Sequence, residues 1–284
     1  MRINFENIEI VKRPRGKVIL VACDSLYFER FSDNLICSFV AHVKNFNFLH
    51  FHVISPTSTV LHKLLHNENS VVTFSFEDPT CTKEINKKQT LLSIFFDNIP
   101  NKIRHMLVAE QERNNALRSF VFLKLMQMGV PAKIFLRPKW LNNSKSRVYY
   151  ACRRFMMPSC FFDEISAVLI IDADSYFNSD IELNEGASSI DAFAICRSKS
   201  WSKFLAGFLY VKINDNGLKF LNKLKNDLVM HFSDGIIYWG IDQVLLDQCE
   251  KVGLLSCFSK IDVGFKKNSS ASFISLKGDI KWQS

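Results

Sequence analysis

The run Val168-Leu169-Ile170-Ile171 is apolar and branched throughout, and it stops on two carboxylates separated by one residue, Asp172-Ala173-Asp174. A continuous apolar run of this length reads as a strand buried on both faces. Its end delivers the acid pair to the carboxyl edge of a sheet, which predicts a metal site. Alternation along an extended backbone sends Asp172 and Asp174 to the same face, where both meet one hard divalent cation. A cation held by so few protein groups also holds a phosphate. The plain alternative is a pair of solvated acids opening a loop.

The neighbouring segments supply the rest of such a sheet. Residues 17–23 read as a second fully buried strand that ends at Asp24-Ser25, and residues 33–44 carry Leu35, Phe39 and Val43 on one helical stripe. Residues 51–56 form a strand closed by a proline turn, Ser58 caps a short helix running to His66, and residues 71–76 make a further strand. Helical spacing then dominates residues 84–138, with Leu117, Val121, Leu125 and Met128 in register, followed by a basic, Asn- and Ser-rich loop over 137–147. A helix over 146–157 stops at Pro158 and leads into the acid-tipped strand. Strands over 191–196 and 204–211 follow, then a helix capped by Asn214 or Asp215 and reaching about Met230, and another helix over 241–251. The tail from 261 to 284 is polar. Strands alternating with helices predict an α/β fold with a mostly parallel central sheet flanked by helices. No repeat, low-complexity tract or linker divides the chain, so residues 1–284 read as a single domain, with 84–147 as a helical and basic insertion on the acceptor side.

Composition narrows the class. Hydrophobic residues make up 48% of 284 and 26 residues are Phe, which excludes a disordered or collagenous chain. The net charge of +8, from 36 basic and 28 acidic residues, points to anionic ligands. The eight cysteines are scattered without a C-x-x-C pair, so they read as free thiols in a reducing compartment rather than zinc ligands. The apolar stretch 18–23 is too short for a signal-peptide core, and no segment approaches the ~20 apolar residues that span a bilayer. The expected location is the cytoplasm, with membrane contact at most peripheral.

Read in order, the marks are Val21-Ala22-Cys23-Asp24, Arg154-Phe155-Met156-Met157-Pro158, Asp172-Ala173-Asp174, Ala206-Gly207, Gly240-Ile241-Asp242-Gln243, and Lys277-Gly278-Asp279-Ile280-Lys281-Trp282. Their order and spacing over about residues 17–282 resemble the family 8 glycosyltransferases, the group of glycogenin and the bacterial lipopolysaccharide galactosyltransferases. The resemblance implies a GT-A, Rossmann-like nucleotide-sugar-binding fold, a UDP-sugar donor, and a manganese or magnesium ion. It implies that Ala22 and Asp24 meet the nucleoside, with Asp24 accepting hydrogen bonds from uracil or ribose at the sheet's carboxyl edge. Asp172 and Asp174 hold the cation. Arg154 pairs with a carboxylate near the metal or with the donor. Gly207 leaves space for the sugar, Asp242 faces its hydroxyls, and Gln243 faces the reacting centre. Lys281 contributes charge to the diphosphate, and Gly278 lets the backbone approach it closely. The adjacent Arg153 reads as a solvated surface charge.

Two departures from the family pattern bear on activity. The histidine that completes the family's metal shell falls on Ser275, a weak neutral ligand, and the asparagine before Ala206-Gly207 is Leu205. The expected function is metal-assisted transfer of a hexose, with retention of configuration, to a glycan, glycolipid or other hydroxyl acceptor. The alternatives are a catalytically weakened nucleotide-sugar-binding module and a DNA-modifying glucosyltransferase. A purely nucleic-acid-binding protein ranks last, because Lys and Arg are spread along the chain without a recognised motif.

Overall fold

In the computed structural model the described residues are 8–77, 145–181, 183, 190–196, 203–233, 240–258, 262–266 and 269–276. The expected excursion over 84–138 and most of the loop over 137–147 lie outside them, as do Gly278 and Lys281.

Strand β2 (Gly16–Asp24) shows why the sheet is central. Its apolar residues alternate between two cores: Val18 and Leu20 face one, while Ile19, Val21 and Cys23 face the other. Each of these side chains is at most 4% exposed. Burial on both faces contributes about 1.5–3 kcal/mol per large aliphatic residue and leaves no polar face for water. Helices α1 (Ser25–His42) and α2 (Ser58–Leu65) cover one face with Phe28, Leu35, Phe39, Val60 and Leu64. Helices α3 (Lys145–Arg153), α4 (Asp215–Ser233) and α5 (Ile241–Lys251) cover the other.

The remaining strands are β1 (Ile8–Ile10), β3 (Phe48–Ile54), β4 (Val72–Glu77), β5 (Ile165–Ile171), β6 (Ser175–Phe177), β7 (Ala192–Cys196), β8 (Phe204–Lys212), β9 (Ser256–Phe258), β10 (Val263–Gly264) and β11 (Phe273–Ser275). The large sheet runs β1-β4-β3-β2-β5-β8-β7-β9. Four of its seven pairings are parallel, namely β2 with β3, β2 with β5, β3 with β4 and β7 with β9. The antiparallel ones are β1 with β4, β5 with β8 and β7 with β8. Because α1 carries the chain from β2 to β3 while β5 pairs on β2's other side, strand order reverses at β2. Ligands of open α/β sheets bind outside the carboxyl ends at such a switch point. A second sheet, β10-β11-β6, stands beside it and begins directly after Asp174.

Several local expectations are corrected. Helix α1 starts at Ser25 rather than residue 33, because Asp24 is its N-cap and accepts a hydrogen bond from the Tyr27 amide at 2.9 Å. Thr57, not Ser58, caps α2. Helix α3 ends at Arg153; the chain turns through 154–156 into a 3-10 turn, Met157–Cys160, that takes Pro158 in its first positions, where a missing N–H costs nothing. The polar tail contributes β10 and β11. Cys196 and Cys257 are joined in a disulfide, against the expectation of free thiols, because parallel β7 and β9 bring their Cα atoms within 5.6 Å. Among the described cysteines, 23, 37, 152, 160 and 249 are free. No described helix is long and apolar enough to cross a membrane.

Candidate active site

The carboxyl ends of β2 and β5 lie side by side, with Val21 opposite Ile171, and antiparallel β8 sets Phe208 opposite Ile171 on the other flank. The next positions are therefore Asp172 and Gly207, linked by a hydrogen bond from the Asp172 amide to the Gly207 carbonyl at 3.4 Å. A Cβ on Gly207 would collide with Oδ2 of Asp172. The room that Gly207 makes is thus occupied by the Asp172 carboxylate itself, which differs from the expected space for a sugar. Strand geometry stops at Ile171, and Asp172–Asp174 forms a turn into β6. Side-chain alternation therefore does not govern where the two carboxylates point.

What gathers the acids is Arg154. Its Nη1 pairs with Oδ1 of Asp172, and its Nη2 donates to the Ala206 carbonyl at 3.3 Å and to Oδ2 of Asp242 at 3.4 Å. The guanidinium also lies 4.7 Å from the centre of the Phe155 ring. Burial works against its charge, but Asp172, Asp242, Cys152 and Asp174 together hold the pKa above the ordinary arginine value. Asp242 reaches this point because Gly240, in the left-handed region at φ 88°, turns the chain into α5 and places Asp242 in its first turn. Its Oδ1 accepts from the Gln243 amide at 2.9 Å, so part of this carboxylate serves the helix terminus. Gln243 is half-buried beside it.

Asp174 is buried, and its carbonyl accepts a hydrogen bond from the Leu276 amide at 3.1 Å. That bond continues the β6–β11 ladder, in which Ser175 lies opposite Ser275. Both serine side chains are buried, and neither hydroxyl has a hydrogen-bond partner among the described residues. Ser275 precedes the residue whose amide meets the Asp174 carbonyl, and its orphaned Oγ is an oxygen donor of the kind a hard cation takes, so the donor types of Asp172, Asp174 and Ser275 suit manganese or magnesium chemically. Among the described residues no three His, Cys, Asp or Glu side chains gather as a ready metal cage. A cation would therefore need oxygens from its ligand as well.

A cavity of about 830 Å³ opens between α1 and β6, lined by Asp174, Tyr176, Leu276, Arg30, Asn34 and His42 among others. Its size suits a small-molecule site. Arg30 and Asn34 were not expected at a site; their i, i+4 spacing on α1 becomes a signal only once the helix is known to start at Ser25. Ala22 is buried in β2, and Asp24 sits at the same sheet edge with one oxygen committed to its cap. Arg153 is the clearest correction. It is 2% exposed, not solvated, and its Nη2 lies 2.9 Å from Oε2 of Glu77.

No protein-family model and no curated protein matches the chain. Solved structures do match. The chain is similar to the apo structure of the bifunctional glycosyltransferase WbbM, with a TM-score of 0.53 and 12% identity over 93% of this chain and 46% of that one. This chain therefore spans about half of WbbM. It also aligns with the apo form of mouse xyloside xylosyltransferase 1, at a TM-score of 0.46 and 11% identity, over 93% of this chain and 98% of that one. The likeness to WbbM is one of fold: a mixed α/β architecture, with a large central sheet flanked by helices, that occurs in glycosyltransferases.

Proposed function

We propose that the chain is a glycosyltransferase of the family 8 type that moves a hexose from a UDP-sugar to a hydroxyl of a glycan or glycolipid, with retention of configuration, in the cytoplasm. The observation that carries this reading is the contact of one buried arginine, Arg154, with both Asp172 and Asp242 at the sheet's switch point. In this reading Asp172, Asp174 and the Ser275 hydroxyl hold a manganese or magnesium ion, which when bound neutralises the charge of the diphosphate. Arg154 bridges and orients the two carboxylates, so Asp172 presents to the cation while Asp242 presents to the sugar hydroxyls with Gln243 at the reacting face. Asp24 uses its uncommitted oxygen for the nucleoside beside Ala22. The family resemblance adds Gly278 and Lys281, which lie outside the described residues, as groups that would meet the diphosphate. Front-face attack by the acceptor hydroxyl needs positioning and charge stabilisation more than a protein nucleophile, and these residues supply both.

The test is release of UDP from a panel of UDP-sugars with added manganese. Wild-type chain should release it, and the paired substitution Asp172→Ala with Asp174→Ala should slow release at least ~10³-fold, about 4 kcal/mol of barrier. Equal rates for the two proteins would remove the proposal. A second reading, donor binding without turnover, is favoured by Leu205, which is 1% exposed in β8 and offers a ligand nothing, and by the serine at 275. Calorimetry showing UDP-sugar binding while no acceptor is glycosylated would select it.

A further inference from the structure

The proposed chemistry leaves unused a buried polar row on β3 and β4. His50 shares hydrogen bonds with Thr73 Oγ1 at 2.9 Å and Ser75 Oγ at 2.8 Å, and His52 shares one with the same Ser75 hydroxyl at 2.9 Å. The row ends at Glu77, the last residue of β4, whose Oε2 lies 3.7 Å from His52 Nε2 and 2.9 Å from Arg153 Nη2. Burial raises the Glu77 pKa, but His52, Arg153 and Tyr149 outweigh it and hold the carboxyl below its ordinary value. Glu77 therefore stays ionised against the Arg153 guanidinium.

Arg153 and Arg154 are consecutive, and they reach in opposite directions. Helix α3 packs on β2. From its end, Arg153 extends past β3 to the tip of β4, while Arg154 extends across β5 to β8 and α5. Arg154 lies in the turn beyond the last helical residue, and its Nε has no hydrogen-bond partner among the described residues, so only the tips of its side chain are tied. A long side chain tied only at its tips takes its accuracy from the backbone that carries it. That backbone is tethered one residue upstream, by a pair in which both side chains are at most 3% exposed.

We propose that Glu77 and Arg153 are positioning residues: their buried ion pair clamps the end of α3 so that Arg154 meets Asp172 and Asp242 in one geometry. The role assigned to the clamp rests on the reading of those three residues as the donor site. The clamp itself does not depend on turnover, so it is tested by two measurements on the full chain. In isotope-labelled wild type the Nη protons of Arg154, identified by their loss in Arg154→Lys, should give separate signals because rotation of the guanidinium is hindered. In the paired variant Glu77→Gln with Arg153→Met, which removes both charges and strands neither, those signals should merge. UDP release should then fall about ten-fold in kcat with donor KM within about two-fold, while unfolding stays cooperative at a similar temperature. Glu77→Gln alone should likewise merge the signals and lower kcat, but at a cost in stability because it strands the buried Arg153 guanidinium, and Arg153→Lys should keep most of kcat. Arg154 signals that stay separate in the charge-free variant overturn the clamp, whatever the rate. A wild type that neither releases UDP nor binds a UDP-sugar in calorimetry removes the donor-site reading instead, and the Arg154 signals still decide the clamp.

Discussion

Two neighbouring arginines each meet a carboxylate, and the two pairs differ in one respect. Arg153 and Glu77 are 3% and 1% exposed in their side chains, whereas Arg154 is 6% exposed and its partner Asp172 is 20% exposed. A pair sealed on both sides has exchanged its hydration for protein neighbours, and neither group can answer to a ligand. A pair that keeps one oxygen-bearing group at the sheet edge retains a charge that a ligand can recruit. Identical functional groups one residue apart thus become an anchor and a candidate working site, and the distinction lies in where the sheet ends.

The sharpest way to break this contrast is to remove one partner from each pair. Arg153→Met leaves the Glu77 carboxylate buried and uncompensated, so urea unfolding should show a loss of about 3–5 kcal/mol. Asp172→Asn leaves Arg154 still facing Asp242 and keeps solvent access, so its cost should stay under about 1 kcal/mol while UDP release is lost. Equal stability losses would mean that burial does not separate the two pairs.

Acid should also act on one side of the molecule first. His50 is held well below its ordinary pKa by burial and then by His52, and His52 is lowered chiefly by burial, with Arg153 adding to the shift and Glu77 opposing it. A histidine with a depressed folded value is protonated first in the unfolded chain, so stability falls as pH drops below about 6.5, by up to ~1.4 kcal/mol per pH unit for each histidine. Glu77 acts with the same sign in a lower window: its folded value is also depressed, but from 4.5, so its contribution is fully present above that pH and is lost only below it. Unfolding free energies from urea titrations at pH 7.5 and 5.5 should therefore differ by up to about 2–3 kcal/mol, and His50→Gln should remove roughly half of that difference. Stability that rises on acidification would show that these rings are charged in the fold.

A smaller effect is expected at Gly207, where the site pair meets the backbone. Gly207→Ala pushes a methyl group into the Asp172 carboxylate, which Arg154 holds from the other side. The expected cost is about 1–3 kcal/mol in thermal unfolding, together with a drop in turnover. A neutral Gly207→Ala would mean that Asp172 swings away freely, and the site would lose the fixed geometry that distinguishes it.

The anchor and the site were unequally legible in the sequence. Buried strands announce themselves as unbroken branched runs, so β2, β4, β7 and β8 fall within a residue of expectation, β5 begins three residues before its expected run, and the acids that end β2 and β5 mark the sheet edge. Arg154 and Asp242 were readable through the order of short motifs, and they do converge. Arg153 was not, because its partner Glu77 lies 76 positions earlier and nothing local says that the end of β4 will be sealed. The same non-locality hid the Cys196–Cys257 bond, which depends on β7 and β9 becoming neighbours, and the strands β1, β10 and β11, which are too short to carry a period of their own. The alternation argument for Asp172 and Asp174 does not apply, for a local reason: the strand ends at Ile171, and a turn replaces the pleat.

The smallest predicted effect decides whether the second sheet belongs to the site or merely braces it. Ser275 is fully buried opposite Ser175, one residue before the amide that binds the Asp174 carbonyl, and its hydroxyl has no partner among the described residues. An unmet hydroxyl in such a place costs stability, so Ser275→Ala should leave unfolding unchanged or raise its midpoint slightly. If the hydroxyl is a cation ligand, the same substitution should raise the manganese concentration that half-saturates UDP release by roughly three- to ten-fold, about 1 kcal/mol, with kcat at saturating metal near wild type. The two readouts then move in opposite directions, which a bracing role cannot produce. A variant that gains stability and keeps the wild-type manganese dependence would assign β11 to the scaffold, and would leave Asp172 and Asp174 as the proposed ion's ligands among the described residues.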